Sequence, residues 1–266
     1  MRDGVRVSRI ETEHEADVIA SALHDEVPWM SRATEVVWHG LRDSVRQGLS
    51  GLRFPPVILI GPPGVGKSHW CRYLARRLEF PMVTIDATGE PASFALVGSQ
   101  RGWSNAAPGR LVSTILRERH AGPLVIVDEV EKAGNARSTK GTHHALTNAL
   151  LPLLEPLTAR WWSCPYYQVP LDMTWTNYVM TANSRTGIPE PLLSRCVVVE
   201  LDDLTPSQLQ DFARREGVRR CLPDPALTAL LDVLDLQPAG ARPLSLRTVS
   251  RMLDRAERLC GQPMLH

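Results

Sequence analysis

No stretch of this sequence approaches the roughly 18–20 consecutive apolar residues that a membrane helix requires, and Met1–Ile10 lacks the apolar centre of an export signal. Neither a membrane-spanning nor an exported protein is expected, and the cytoplasm is the expected compartment. The five cysteines, Cys71, Cys164, Cys196, Cys221 and Cys260, are odd in number and scattered, with no C-x-x-C pair. That spacing argues against a disulfide framework and a zinc site, so the thiols are read as reduced. The adjacent His143 and His144 lack an i, i+4 partner and a nearby carboxylate cluster, so no metal site made of protein ligands alone is expected. A net charge of +1 gives no chain-wide footprint for nucleic acid, leaving only local patches to consider. Repeats and low-complexity tracts are also missing.

What is present is ordinary globular usage, 43% apolar and 22% charged, in 266 residues. That length suits one sizeable core with a small appended domain. Residues 1–33 are charged and helical in part, with no evident role. A second helical pattern runs from Thr34 to Gly48. Then Pro55-Pro56 introduces Val57-Ile58-Leu59-Ile60, a continuous β-branched run of the kind found in parallel sheets covered on both faces. Similar runs recur at Met82-Val83-Thr84-Ile85, Leu124-Val125-Ile126-Val127, Tyr178-Val179-Met180 and Cys196-Val197-Val198-Val199, separated mostly by helical stretches. The expected fold is α/β, with a five-stranded parallel sheet flanked by helices over residues 34–203. Past Leu204 the pattern is helical at about 206–216, 224–235 and 244–261, predicting a small all-helical domain over 204–266.

The first chemical signature is Gly61-Pro62-Pro63-Gly64-Val65-Gly66-Lys67-Ser68, placed between a strand and a helix expected over Ser68–Leu78. In such a phosphate loop the glycines let backbone N–H groups face the phosphates. Lys67 reaches the β- and γ-oxygens, and the Ser68 hydroxyl ligates Mg²⁺. The second is Asp128-Glu129 at the end of a buried strand, where ligands of parallel sheets sit. There Asp128 would hold the Mg²⁺ shell and Glu129 would polarise the water attacking ATP. The third is Asn183, beyond the strand Tyr178–Thr181, which can orient that water. Arg195 follows a short helical turn and is placed to complete a neighbouring subunit's site.

Together these residues resemble the AAA+ module of Lon-type ATP-dependent proteases over roughly residues 35–260. The resemblance is also carried by Trp38-His39-Gly40-Leu41, Ala106-Ala107-Pro108-Gly109-Arg110, Ala149–Pro156, Tyr166–Thr174, Thr181–Ser184 and Ile188–Arg195. It implies that His39 and Gly40 flank adenine, Asn183 is the first sensor and Arg195 the trans-acting arginine finger. It further implies that Arg242, or Arg247 one helical turn later, is the second sensor, and that Trp103 occupies the aromatic pore loop that grips polypeptide. Trp stands there in place of the usual Tyr. The sequence runs to His266 directly after the helical region, so the family's peptidase domain and long N-terminal region are expected to be absent. The implied function is an ATPase that assembles into a ring, expected to be a hexamer, and remodels or unfolds a polypeptide client. The rival is a nucleic-acid-directed ATPase using Arg247, Arg251, Arg255 and Arg258 as a basic stripe. The aromatic group Trp161, Trp162, Tyr166, Tyr167 and Trp175 fits either a partner surface or a hairpin packed on the module.

Overall fold

The computed structural model describes residues 4–88, 92–102, 105–133, 146–236 and 244–260. Two compact units are present: Met1–Ile60 with Lys67–Glu200, and Gly61–Gly66 with Leu201–His266.

In the first unit the elements run α1 (Glu13–Glu26), α2 (Ser31–Arg46), β1 (Val57–Ile60), α3 (Lys67–Arg77), β2 (Met82–Asp86), α4 (Ala92–Val97), α5 (Arg110–Glu118) and β3 (Leu124–Asp128). They continue with α6 (Leu146–Leu154), α7 (Pro156–Ala159), β4 (Trp162–Ser163), β5 (Pro170–Leu171), β6 (Asn177–Ala182), α8 (Glu190–Leu193) and β7 (Val197–Glu200). Five strands pair in parallel in the order β2-β3-β6-β1-β7. Every residue of β1 and β6 is buried, which explains their unbroken apolar runs: a central parallel strand has helices on both faces. The edge strand β2 alternates exposed and buried instead.

The core joins alternate residues of the sheet, such as Ile58, Val83, Val125 and Met180, to Leu96, Leu111, Leu150 and Leu192 of the flanking helices. Trp70 of α3 is fully buried, and its indole N–H donates to Thr34 Oγ1 of α2 at 3.1 Å. The N-terminal helix α1 belongs to this unit. Its Asp17 accepts from Trp38 Nε1 at 2.6 Å and from Arg42 at 2.7 Å, and the Trp38 bond foremost holds the Asp17 carboxyl below its usual value. Ahead of α1, Arg6 bridges to His120, while Leu52 N–H donates to the Ser8 carbonyl at 3.0 Å. The short hairpin β4–β5 turns Trp162 and Cys164 inward and leaves Trp161 70% exposed.

The second unit contains α9 (Pro206–Arg219), α10 (Asp224–Asp235) and α11 (Leu246–Cys260). Thr205 and Gln208 form a capping box at the start of α9, each side chain satisfying a backbone N–H that the first turn leaves without a helical partner. Leu209, Ala213, Leu230, Leu234, Val249 and Leu253 are among its buried side chains.

Candidate functional site

The strand tips define where chemistry collects in the first unit. Ile60 is in register with Ala182, Val127 with Met180, and Asp86 with Asp128. The residues that leave β3 and β6 at their C-terminal ends therefore meet the start of α3. Asp128 closes β3, Glu129 follows it, Asn183 follows β6, and Lys67 and Ser68 open α3.

These side chains form one bonded network. Ser68 Oγ donates to Asp128 Oδ1 at 3.2 Å, and Thr181 Oγ1 donates to the same oxygen at 3.0 Å. Thr181 Oγ1 in turn accepts from the Glu129 N–H at 3.4 Å. Lys67, 8% exposed, donates from Nζ to Asn183 Oδ1 at 3.2 Å. The Asn183 amide then donates to Glu129 Oε1 at 3.2 Å, and Lys132 Nζ donates to Glu129 Oε2 at 2.7 Å. Glu131 Oε1 accepts from the Asn183 backbone N–H at 3.1 Å, while its Oε2 is buried and has no partner among the described residues.

Burial pushes the Lys67 ammonium below its usual value, against the pull of Glu131, Asp128 and Glu129. A cation desolvated this way has the most to gain from an incoming phosphate. Lys132 is held above its usual value, chiefly by its bond to Glu129. Glu129 itself has left-handed backbone, φ 58° and ψ 44°. Residues other than glycine rarely adopt that conformation, and it recurs at sites where a side chain must be aimed. Here it starts a tight turn through Val130–Lys132, which returns Lys132 to the Glu129 carboxylate.

Among the described residues, no group of three or more His, Cys, Asp or Glu side chains is placed to hold a metal. What is present, a hydroxyl on Ser68 and a carboxylate on Asp128 3.2 Å apart, is a hard oxygen pair. That suits Mg²⁺, which keeps several waters and phosphate oxygens and takes few ligands from protein.

The other candidates have local settings of their own. Gly61–Gly66 belong to the second unit, where Gly64 O accepts from Leu246 N–H at 3.0 Å. Gly64 and Gly66 have φ of +85° and +100°, and a Cβ on Gly64 would stand 2.6 Å from Ser245 Cβ. Both curvature and space therefore require glycine there. On α2, His39 faces solvent with Glu35 3.6 Å away and stacks on Trp38. Gly40 is buried, and a Cβ on it would meet Phe54 Cβ at 2.5 Å and Phe54 Cα at 2.7 Å. Close approach of two chain segments is what Gly40 permits here.

Arg195 is joined to none of the network above. Its Nη1 donates to Pro191 O at 2.9 Å, and its Nε lies 3.7 Å from Glu155 Oε2. Trp103 and Arg242 lie outside the described residues, as do His143 and His144. The stem that carries the Trp103 segment is described: Gly98 bridges Pro108, and Ser99 N–H donates to Ala107 O at 3.1 Å. Arg247, Arg251, Arg255 and Arg258 are all exposed on α11, and among the described residues none of them has an ion pair. The α11 carboxylates Asp254 and Glu257 lie 2.5 and 3.8 Å from Arg220 of α9.

The cysteines are all free. Burial pushes the Cys71 thiol up and the Cys196 thiol up to about 12, which suits inert core thiols. The network includes Thr181, Glu131 and Lys132, for which the sequence reading assigned no role. Each stands within three residues of a recognised position, yet only the fold brings its polar atom to Asp128, Asn183 or Glu129.

Strand order, phosphate loop and carboxylates together define a P-loop nucleotide-binding module. Residues 57–203, more than half of the chain, match the family model described as "ATPase family associated with various cellular activities (AAA)", and the chain belongs to that family. It is similar to "Lon protease homolog 2, peroxisomal" of Oryza sativa subsp. indica, 30% identical over 186 residues, 70% of this chain and 20% of that relative. "Lon protease" of Bacillus thuringiensis (strain Al Hakam) is 28% identical over 231 residues, 81% of this chain and 28% of the relative. "Lon protease" of Mycoplasma genitalium is 30% identical over 175 residues, 66% of this chain and 21% of the relative. The chain thus spans between about a fifth and under a third of the length of these relatives. Nucleotide binding follows from the family, and no described helix is long and apolar enough to cross a membrane.

Proposed function

We propose that these 266 residues form an ATP-hydrolysing motor that works in a closed assembly, expected to be a hexameric ring, and moves a polypeptide client. Lys67 with the backbone of Gly61–Gly66 binds the phosphates. Ser68 and Asp128 would hold Mg²⁺, which when bound neutralises developing charge on the phosphate oxygens. Glu129 accepts the proton of the attacking water, which Asn183 orients. Arg242 or Arg247 supplies the second sensor, His39 and Gly40 flank adenine, and Trp103 contacts the client. Movement of polypeptide, and not peptide-bond cleavage, is the work that this reading assigns to these residues.

The observation that carries this reading is the polarity of the sheet. Ser68, Asp128 and Asn183 sit at the C-terminal ends of the strands. Arg195 precedes β7, whose first residue, Val197, is in register with Val57 at the start of β1. The four residues of β7 span roughly 13 Å, so Arg195 lies at the far end of the sheet from its own Asp128. An arginine that serves a triphosphate from there must serve another subunit's. Such a contact joins unlike surfaces head to tail, which closes into a ring when the rotation permits.

Mixing two inactive variants tests this. Arg195→Ala and Glu129→Gln are each expected to lose ATPase activity, and an equimolar mixture is expected to recover a fraction of it at interfaces that pair an intact Glu129 with an intact Arg195. A mixture as inactive as its components would count against action in trans. The rival reading, a nucleic-acid-directed ATPase, draws on the four exposed arginines of α11, whose neighbouring carboxylates are engaged by Arg220. Stimulation of ATPase by DNA that falls with salt and disappears on substituting those arginines would favour it. Stimulation by an unfolded protein favours the client reading.

A further inference from the structure

The face that carries Arg195 is not polar throughout. Glu155, the partner of Arg195, immediately precedes α7, and two exposed apolar side chains follow it: Leu157, 81% exposed, and Trp161, 70% exposed. They are four positions apart, Leu157 on α7 and Trp161 in the turn that follows it. The Arg160 guanidinium lies 5.9 Å from the Trp161 ring centroid. Trp161 is not needed to fasten its hairpin, because Trp162 and Cys164 already anchor that segment in the core. A large aromatic and a leucine beside two arginines have the composition of an interface centre, where Trp and Arg are the usual anchors.

We propose that the exposed side chains of Leu157 on α7 and of Trp161 in the turn that follows it form the surface through which a second copy of this chain docks, and that Glu155 holds Arg195 in the undocked protomer and releases it on docking. This rests on the reading that Arg195 acts in trans. Charge identifies the occupant: the surface that Arg195 must reach is the edge of another copy's site. There the carboxylates of Asp128, Glu129 and Glu131 outnumber the cations Lys67 and Lys132, and the triphosphate adds further negative charge. Arg160 and Arg195 complement that edge, whereas Glu155 opposes it. Docking therefore gives the Arg195 guanidinium a stronger anionic partner and separates it from Glu155. At 3.7 Å and partly exposed to water, the Glu155 pair is weak enough to exchange.

The test uses the full chain in three forms. For Leu157→Asp with Trp161→Gln, sedimentation velocity is expected to place the midpoint of assembly at a concentration at least tenfold higher, with the thermal melt and ATP affinity of the protomer unchanged. The milder Leu157→Ser with Trp161→His is expected to move the midpoint in the same direction, and serves if the first pair melts early. For Glu155→Gln, ATPase at concentrations below the wild-type midpoint is expected to rise about two- to fivefold, the range that loss of an exposed ion pair supports. Assembly of both α7 variants at the wild-type midpoint would overturn the docking surface. So would wild-type assembly coupled with loss of stimulation by an unfolded protein, which would make α7 a client surface. Unchanged ATPase in Glu155→Gln would overturn the holding role. These outcomes are separate from the mixing experiment: if the Arg195→Ala and Glu129→Gln mixture stays inactive while the α7 variants fail to assemble, the trans reading has failed and the docking surface has not.

Discussion

Thr181→Val tests whether the Asp128 carboxylate is held by the network described here or merely lies near it. The substitution keeps the shape of the buried side chain, which is 4% exposed, and removes only the hydroxyl. That hydroxyl has two partners, Asp128 Oδ1 at 3.0 Å and the Glu129 N–H at 3.4 Å. Without it, Asp128 Oδ1 retains the single donor Ser68, and the Glu129 N–H loses its acceptor at the turn where the backbone is already left-handed. A hydrogen bond to a charged group contributes about 1.5–3 kcal/mol. For a chain of this size each kcal/mol moves the melting temperature by roughly 2–4 °C, so the variant should melt roughly 3–12 °C lower. The assay is a thermal melt of the nucleotide-free chain, followed by ATPase measurements at varied Mg²⁺. The same loosening should raise the Mg²⁺ concentration needed for half-maximal rate. A variant that melts with the wild type and shows an unchanged Mg²⁺ requirement would refute the claim that Thr181 positions Asp128.

In Lys67→Met the rise in melting temperature on adding ATP should vanish, because the ammonium that meets the phosphates is gone. The lowered Lys67 value implies that the burial penalty on its charge is present at neutral pH and is relieved only as pH rises from that value towards 10.5, so the wild type should gain stability relative to Lys67→Met through that window. Lys132→Met should raise basal ATPase about two- to fivefold by freeing Glu129 Oε2 from an exposed ion pair; a tenfold loss instead would make Lys132 a positioning residue for Glu129. His120, held below its usual 6.5 by burial and then by Arg6, is neutral, with Nδ1 accepting from Gly122 N–H at 3.1 Å and Nε2 2.9 Å from Ser8 Oγ. The unfolded chain takes up that proton first, so stability should fall as pH drops from above 6.5 through the lowered value, and His120→Gln should flatten the slope of melting temperature against pH.

The parts legible in the sequence are those whose cause is local. Val57–Ile60 reads as a buried strand because nothing in it tolerates water, and the glycines of the phosphate loop announce a turn that only they can make. Three helices after Leu204 were readable from their period, while the capping box of Thr205 and Gln208 emerged only from the structure. The sheet order β2-β3-β6-β1-β7 was not readable, because it depends on which crossovers pack best and not on any one strand. Thr181, Glu131 and Lys132 stayed silent for the same reason: a threonine in a strand and a Glu-Lys pair in a turn are unremarkable until the register sets them against Asp128, Asn183 and Glu129. Trp161 and Trp162 show the limit most plainly. They are adjacent and chemically identical, and only the fold decides that Trp162, the first residue of β4, is buried while Trp161, in the turn before it, faces solvent.

On the proposed trans role of Arg195, the polarity of the parallel sheet also explains why one chain would hold both halves of a reaction that it could not complete alone. All strands point the same way, so every loop leaving a C-terminal end joins one edge, and every segment entering at an N-terminal end joins the other. Lys67, Ser68, Asp128, Glu129 and Asn183 belong to the first edge, and Arg195 with Glu155 to the second. A shift in side-chain rotamer does not carry a guanidinium from one edge of a packed sheet to the other, because the core between them is closed by Ile58, Val125 and Met180, each buried to 0% exposure. What can bring the two edges together is a second copy, offering its second edge to the first edge of its neighbour. The bond from Arg195 to Glu155 then marks the state before that meeting. In it the base Glu129 is occupied by Asn183 and Lys132, and the arginine is occupied by a carboxylate of its own chain. On the proposed reading, assembly in the presence of ATP would offer both arginine and base better partners at one step, and a motor built this way would be restrained from hydrolysis until its neighbour is in place.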